Sequence, residues 1–306
     1  MSRRKTYWLG VGLSAVSGYA LILFTWWLVS LCETGNDAVK YVGYPSMFLV
    51  PFGMGIVAAY VWKPLGFNKT ERFIRSVVIW FVSSLGAAAV FHEGTVCLVI
   101  AAPLLWLFIF FGTLAGDAWF RRSRSKLHLS IFPLLLLAIA GDALHPSEKN
   151  TVITDELLIH VPPNKVFPFV VQFPPITDAQ SHWLNHFGLP EPVQSTSDGA
   201  FVGANRQCIF SNGLIFPERI TELVPNQKLT FIVTEQPRDP ELLGHFFLHS
   251  GQFELRDNHD GTTTLIGRSW YTLRVSPNWY FDIWTKDVVR HVHLRVMQHI
   301  AHLAEQ

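Results

Sequence analysis

The chain has 306 residues, 49% of them hydrophobic and only 15% charged, with a net charge of +1 and a mean hydropathy of +0.26. It is too apolar, and with 24 Phe and 11 Trp too aromatic, to be disordered, and its near-neutral charge excludes the basic surface that nucleic-acid binding requires. The mean conceals a split: residues 1–148 carry 12 Lys+Arg against 7 Asp+Glu (net +5), and residues 149–306 carry 12 against 16 (net −4). The basic half reads as a transmembrane region of about five helices, and the acidic half, 149–306, as a soluble domain.

Four apolar stretches come first, near Trp8–Leu31, Tyr44–Trp62, Phe73–Phe91 and Thr95–Leu114. Each approaches the ~20 residues that a helix needs to cross ~30 Å of hydrocarbon. A fifth, Leu127–Leu144, is weaker, and by length alone it also fits a re-entrant or interfacial segment. Arg3, Arg4 and Lys5, then Lys63, Lys69, Arg72 and Arg75, then Arg121, Arg122, Arg124 and Lys126 lie in alternate loops. The positive-inside rule then predicts a multi-pass protein of the cytoplasmic membrane with its N-terminus in the cytoplasm. If the fifth segment crosses, the C-terminal domain is extracytoplasmic. Polar residues at span ends (His92, Glu93, Asp117, Asp142) are expected to be solvated. Gly53-Met54-Gly55 and Gly112-x3-Gly116 are small-residue surfaces suited to helix packing.

Beyond a polar linker at 145–150 the pattern changes. Thr151–Val161 predicts a strand, Lys165–Phe173 a short helix interrupted near its start by Pro168, and Asp178–Phe187 a second short helix. Ala200–Ser211 and Leu214–Leu223 read as a hairpin across Asn212-Gly213. Lys228–Thr234 is the next strand, and His245–Arg256 and Thr262–Val275 form another hairpin. Pro277 opens a long helix, Asn278–Ala304, whose apolar stripe is predicted to be Trp284, Val288, Val292, Val296, Ile300 and Leu303. A curved antiparallel sheet must bury one face, and one long helix is the available cover. The fold class predicted for the whole chain is therefore an all-α transmembrane region followed by an α+β helix-grip domain.

The segments "ELLIHVPPNKVFPFV", "GANRQCIFSNGLIFPERITELVPNQKLTFIV" and "GQFEL…GTTTLIGRSWYTLRVSPNWYFDIW…HLRVMQHI" resemble the first strand and helix, the central strands, and the last hairpin and closing helix of the SRPBCC superfamily. That superfamily contains START lipid-transfer domains, proteins of the birch-pollen allergen type and polyketide cyclases/dehydrases. The fusion to a multi-span N-terminal half resembles a group of bacterial membrane-bound members. The resemblance implies a ligand cavity between sheet and helix, and no particular reaction.

Inward-pointing charges in such a cavity orient a ligand's polar end, whereas outward ones are solvated. A two-residue turn at Asn212-Gly213 pairs Arg206 with Arg219 and Gln207 with Glu218, and one bulge exchanges the two faces. Arg206, Glu218 and Arg268 are expected to point inward. Trp270, Tyr271, Trp279, Tyr280, Phe281 and Trp284 form an aromatic cluster, read as core with a ligand-contacting wall as the alternative. The candidate ligand-binding set is Arg206, Phe210, Glu218, Arg268, Trp270 and Trp284. His182/His186 and His245/His249 have two-ligand spacing, but "HWLNH" lacks the glutamate of a zinc-protease motif, and no metal or cofactor is expected. His299 and His302 are placed on the exposed flank of the last helix. Cys32, Cys97 and Cys208 indicate no disulfide framework, and Cys208 reads as a structural thiol. The predicted function is membrane-anchored binding, with possible transfer, of a hydrophobic or lipid-like ligand. The alternatives are a cyclase/dehydrase-like enzyme using interior polar groups and a structural or sensory membrane protein. Membrane lipids and an apolar small molecule are the expected partners.

Overall fold

A computed structural model of the chain describes residues 2–30, 43–122, 137–138, 147–177, 182–242 and 244–306. The fold comprises two compact units, which divide between Ser147 and Glu148, with a short excursion of 274–278 into the first.

The first unit is helical: α1 (Arg3–Ser30), a short π-helical turn (Pro45–Leu49) running into α2 (Val50–Trp62), α3 (Lys69–Phe91) and α4 (Thr95–Arg122). Among the described residues four helices are long and apolar enough to cross a membrane: Arg3–Phe24, Pro45–Leu65, Lys69–Val90 and Thr95–Arg121. The expected fifth segment lies outside the described residues, apart from Leu137 and Ala138. Asn68 caps α3: its side chain accepts from Glu71 N at 2.8 Å while Glu71 Oε2 accepts from Asn68 N at 2.9 Å, so two otherwise orphaned amides are satisfied at the helix start.

Small residues set the helix spacing. The α-carbon of Gly55 lies against the Ile109 carbonyl on α4, and Gly112 lies against the Phe52 carbonyl on α2. Gly116 faces Ala59 in the same interface. Such small-residue contacts let helix backbones approach closely. Asp117 is a correction to the solvated span-end reading. It receives Arg72, whose side chain is only 1% exposed, at 2.5 Å and Arg121 at 3.0 Å. Arg72 must be paired because a buried guanidinium without a partner is costly.

The second unit is a seven-stranded, wholly antiparallel, curled sheet in the order β1-β7-β6-β5-β4-β3-β2. Its strands are β1 (Lys149–Ile159), β2 (Pro192–Ser197), β3 (Asn205–Phe210), β4 (Ile215–Val224), β5 (Lys228–Val233), β6 (Phe246–Asp257) and β7 (Thr263–Leu273). A short helix, α5 (Pro163–Val171), and a 3-10 turn (Trp183–Phe187) lie between β1 and β2, and α6 (Asn278–Ala304) closes the chain. Register shifts at Thr221 and His249 leave one residue unopposed in each of β4 and β6, and such bulges bend a sheet. The core lies on the concave face: Ile159, Leu229, Phe231, Leu255 and Leu265 pack with Val166 and Val170 of α5 and with Val296, Met297 and Ile300 of α6.

Three local expectations are corrected. The segment Asp178–Phe187 contains a 3-10 turn over Trp183–Phe187, while 178–181 lie outside the described residues. Strand β2 was not among the predicted elements: its Pro-Val-Gln-Ser-Thr-Ser sequence has no apolar alternation, and it runs along a sheet edge. The buried stripe of α6 is Asp282, Val289, His293, Val296, Met297, Ile300 and Ala304, rotated from the all-apolar choice and admitting polar residues.

Filling the α2–α4 contact should be costly. Gly112→Val would drive a side chain into the Phe52 carbonyl, an overpacking of about 1–3 kcal/mol. Thermal unfolding of the detergent-purified protein should therefore show a lower midpoint for Gly112→Val, whereas Gly12→Ala, at a position with open space around it, should leave the midpoint unchanged or raise it.

Candidate functional site

Strand register decides which polar side chains enter the concave face. In β3–β4, Arg206 pairs with Glu218, not with Arg219, because Phe210 N donates to Leu214 O and the loop holds three residues with Gly213 at φ +83°. This three-residue loop with a left-handed glycine moves the pairing by one position from the two-residue turn expected. Arg206 and Glu218 thereby face inward on neighbouring strands. Both side chains are 3% exposed, and they form a close ion pair. Arg206 Nε also donates to the Val171 carbonyl at 3.1 Å, and its guanidinium lies 4.8 Å from the Phe231 ring centroid. Burial raises the Glu218 carboxyl above the usual carboxylate range, with Arg206 opposing. Cys208 lies next on the same face, where burial and then the Glu218 charge push its thiol up to about 12. It is therefore an un-ionised thiol at neutral pH.

The six candidate residues do not form one cluster. Arg206, Phe210 and Glu218 share the concave face by the period-two alternation of their strands, and the Phe210 ring packs 5.4 Å from Phe216. Arg268 and Trp270 alternate with inward Ser269 and Tyr271 and so occupy the opposite face. There Arg268 bonds Gln252 at 2.7 Å and Glu254 at 2.6 Å, which corrects the expectation that it points inward. Trp284 belongs to an aromatic group with Trp183 (5.9 Å) and Tyr280 (6.2 Å) at the start of α6.

A second polar constellation, absent from the candidate set, joins β1, β7 and α6. His293 on α6 has Nδ1 at 3.0 Å from Asp155 Oδ2 on β1 and Nε2 at 2.7 Å from Ser269 Oγ on β7. The exposed Arg290 holds the other carboxylate oxygen of Asp155 at 3.1 Å. Asp155 and His293 are buried, whereas Ser269 is only half-buried. Burial lowers the His293 imidazole below its ordinary pKa, with Asp155 opposing, so the neutral ring is favoured at neutral pH. Gly267 lies close by: a β-carbon there would stand 3.0 Å from Met297 Sδ and 3.9 Å from His293 Nδ1. The pattern was partly visible in sequence. Asp155 and Ser269 are polar at inward positions of apolar alternations, and His293 interrupts the stripe of α6. Their convergence depends on the β1–β7 pairing, which brings together residues more than 100 positions apart.

Three further histidines have hydrogen-bonding partners. His299, expected on the exposed flank, is instead buried, with Nε2 3.1 Å from the Pro174 carbonyl. His182 caps the 3-10 turn and lies 2.9 Å from Asp287. His249, at the β6 bulge, lies 2.6 Å from Thr272 Oγ1. Among the described residues no group of three or more His, Cys, Asp or Glu side chains is arranged to hold a metal ion. Cys97 and Cys208 form no disulfide among the described residues, and Cys32 lies outside them.

The sheet order and the single covering helix define the architecture. It is a helix-grip fold. Comparison with solved structures finds a similar arrangement in truncated norcoclaurine synthase from Thalictrum flavum, at 11% identity and TM-score 0.36 over 51% of this chain and 94% of that one. An aromatase/cyclase from Streptomyces sp. R1128 is similar at 13% identity and TM-score 0.36, over 51% and 94%. A Staphylococcus aureus protein of unknown function is similar at 13% identity and TM-score 0.37, over 52% and 96%. No family model and no curated protein sequence matches the chain.

The buried pair within the helix-grip domain gives a direct test. Arg206→Leu should strand a buried carboxylate and cost about 3–5 kcal/mol, whereas Arg206→Leu/Glu218→Leu should recover most of that loss. Denaturant unfolding of the full chain followed by tryptophan fluorescence measures both, and equal losses in the single and double variants would contradict the pairing.

Proposed function

We propose that the helix-grip domain binds an apolar small molecule bearing a polar end group, on the concave face between the sheet and α6. The observation that carries this reading is the Arg206–Glu218 pair, buried at 3% exposure with the Arg206 guanidinium over the Phe231 ring. Replacing a buried ion pair by apolar residues is often neutral or stabilising, so the pair contributes little as a staple, and orienting a ligand's polar end is what its position suits. The chain also carries helices apolar enough to cross a membrane, which supports a lipid-like ligand drawn from the bilayer.

A second reading, chemistry on that ligand, is favoured by the Asp155–His293–Ser269 constellation, because an all-apolar interior would offer no acid–base group.

Native mass spectrometry of the full chain released from detergent tests the binding reading. The expected result is a bound species of lipid size, lost in the Arg206→Leu/Glu218→Leu protein when that variant remains folded. A bare mass for the parent protein, persisting after incubation with a total membrane-lipid extract, would overturn it.

A further inference from the structure

We propose that Ser269 is a nucleophile, activated by His293 and positioned through Asp155, that cleaves a carboxylic ester of an apolar acyl group held on the concave face. This deepens the proposed function and rests on its premise that an apolar molecule enters there.

The geometry has three parts. Ser269 Oγ lies 2.7 Å from His293 Nε2, within reach for the hydroxyl to donate to the ring nitrogen. The opposite nitrogen, Nδ1, lies 3.0 Å from Asp155 Oδ2, which fixes the ring's orientation and selects the tautomer with the proton on Nδ1. Arg290 at 3.1 Å holds the second oxygen of Asp155, so the carboxylate is anchored on both sides. The gradient of burial suits the same order: Asp155 and His293 are buried, and Ser269 is half-buried. His299, by contrast, has Nε2 against a backbone carbonyl, that of Pro174, with no hydroxyl at that nitrogen among the described residues. At His293 the serine on Nε2 makes a proton path.

The surroundings define the substrate class. In register Ser269 is flanked by Ile153 on β1 and by Gly251 on β6, and the Phe231 ring lies over Gly251. Met297 lies over Gly267, two residues before Ser269 on the same face. These groups suit an acyl chain, while the ester carbonyl is the only polar element that the nucleophile requires.

In the reaction, Ser269 Oγ forms a bond to the ester carbonyl carbon while its proton passes to His293 Nε2. The imidazolium, stabilised by Asp155 across Nδ1, gives that proton to the departing alkoxide as the carbon–alkoxide bond breaks, releasing an alcohol and leaving an acyl-serine. Water then adds to the acyl carbon with His293 again taking the proton. The acyl–oxygen bond breaks, the proton returns to Ser269, and a carboxylic acid departs. No oxidant, metal or cofactor is consumed. The lowered basicity that burial gives His293 keeps the ring neutral, the form able to accept the proton.

The test uses the full detergent-solubilised chain and a long-chain alkyl fluorophosphonate, which phosphonylates activated serines with loss of fluoride. One adduct per chain, mapped to Ser269, is the expected result. Ser269→Ala should abolish the adduct, and His293→Gln should slow its formation about 10²–10⁴-fold. For the positioning residue, Asp155→Asn should lower the maximal inactivation rate at saturating probe while leaving the probe concentration for half-saturation unchanged, a split that a general loss of structure does not produce. Absence of an adduct on Ser269 in the parent protein, or an adduct of equal yield in Ser269→Ala, overturns the proposal. Native mass spectrometry of the same sample separates the two readings. A bound lipid-sized species with an unreactive Ser269 refutes the nucleophile alone, whereas a bare and unreactive protein refutes the binding premise as well.

Discussion

Helix α6 is the one long helix among the described residues of the helix-grip unit, and it must cover the concave face of seven strands. Its buried stripe runs Asp282, Val289, His293, Val296, Met297, Ile300 and Ala304, with His299 and Arg295 buried on its flanks. Bringing a helix of that composition onto a sheet takes polar groups out of water, and each needs a partner to offset the loss. The partners come from the elements that the helix faces. Asp155 and Ser269 meet His293, Glu191 meets Arg295 at 3.1 Å, and the Pro174 carbonyl meets His299. At the start of the helix, burial works against ionisation of Asp282, but Lys149 at 2.7 Å and Lys286 at 2.9 Å prevail and hold its carboxyl below the usual range.

Close approach is controlled by glycine in both units. In the helical unit Gly55 and Gly112 bring the backbones of α2 and α4 together. In the sheet, Gly251 accepts the Phe231 ring, a contact between β5 and β6, and Gly267 leaves room for Met297 of α6. Two buried polar groups sit beside these contacts: Arg206, over the Phe231 ring, and His293, near Gly267. Their energetic justification is not stability, since buried ion pairs seldom exceed apolar packing in that respect.

Much of the architecture was legible because its signals are periodic or compositional. The four described apolar helices, the charge split, the hairpin β6–β7 and the bounds of α6 follow from hydropathy, turn residues and Pro277. Strand β2 was not legible, because an edge strand of polar residues carries no alternation. The face assignments were legible only in part. The Asn212-Gly213 turn marks the hairpin, but whether its loop has two or three residues changes the register by one and so decides which of Arg206 and Gln207 opposes Glu218. Arg206, Phe210 and Glu218 were placed on the right face, while Arg268 and Trp270 occupy the other. Asp155, Ser269 and His293 each broke a local pattern, yet their meeting is a property of the β1–β7 ladder and the seating of α6, and no local window contains both.

The central claim is that the concave interior of the helix-grip domain receives a molecule, with its charged and nucleophilic groups arranged for that purpose. A high-resolution cryo-electron microscopy map of the full chain in a lipid nanodisc tests it most directly. The account predicts elongated non-protein density between α6 and the sheet, with one end within contact distance of Ser269 or of the Arg206–Glu218 pair. Side chains packed continuously across that space, with no room for a ligand beside either group, would contradict it.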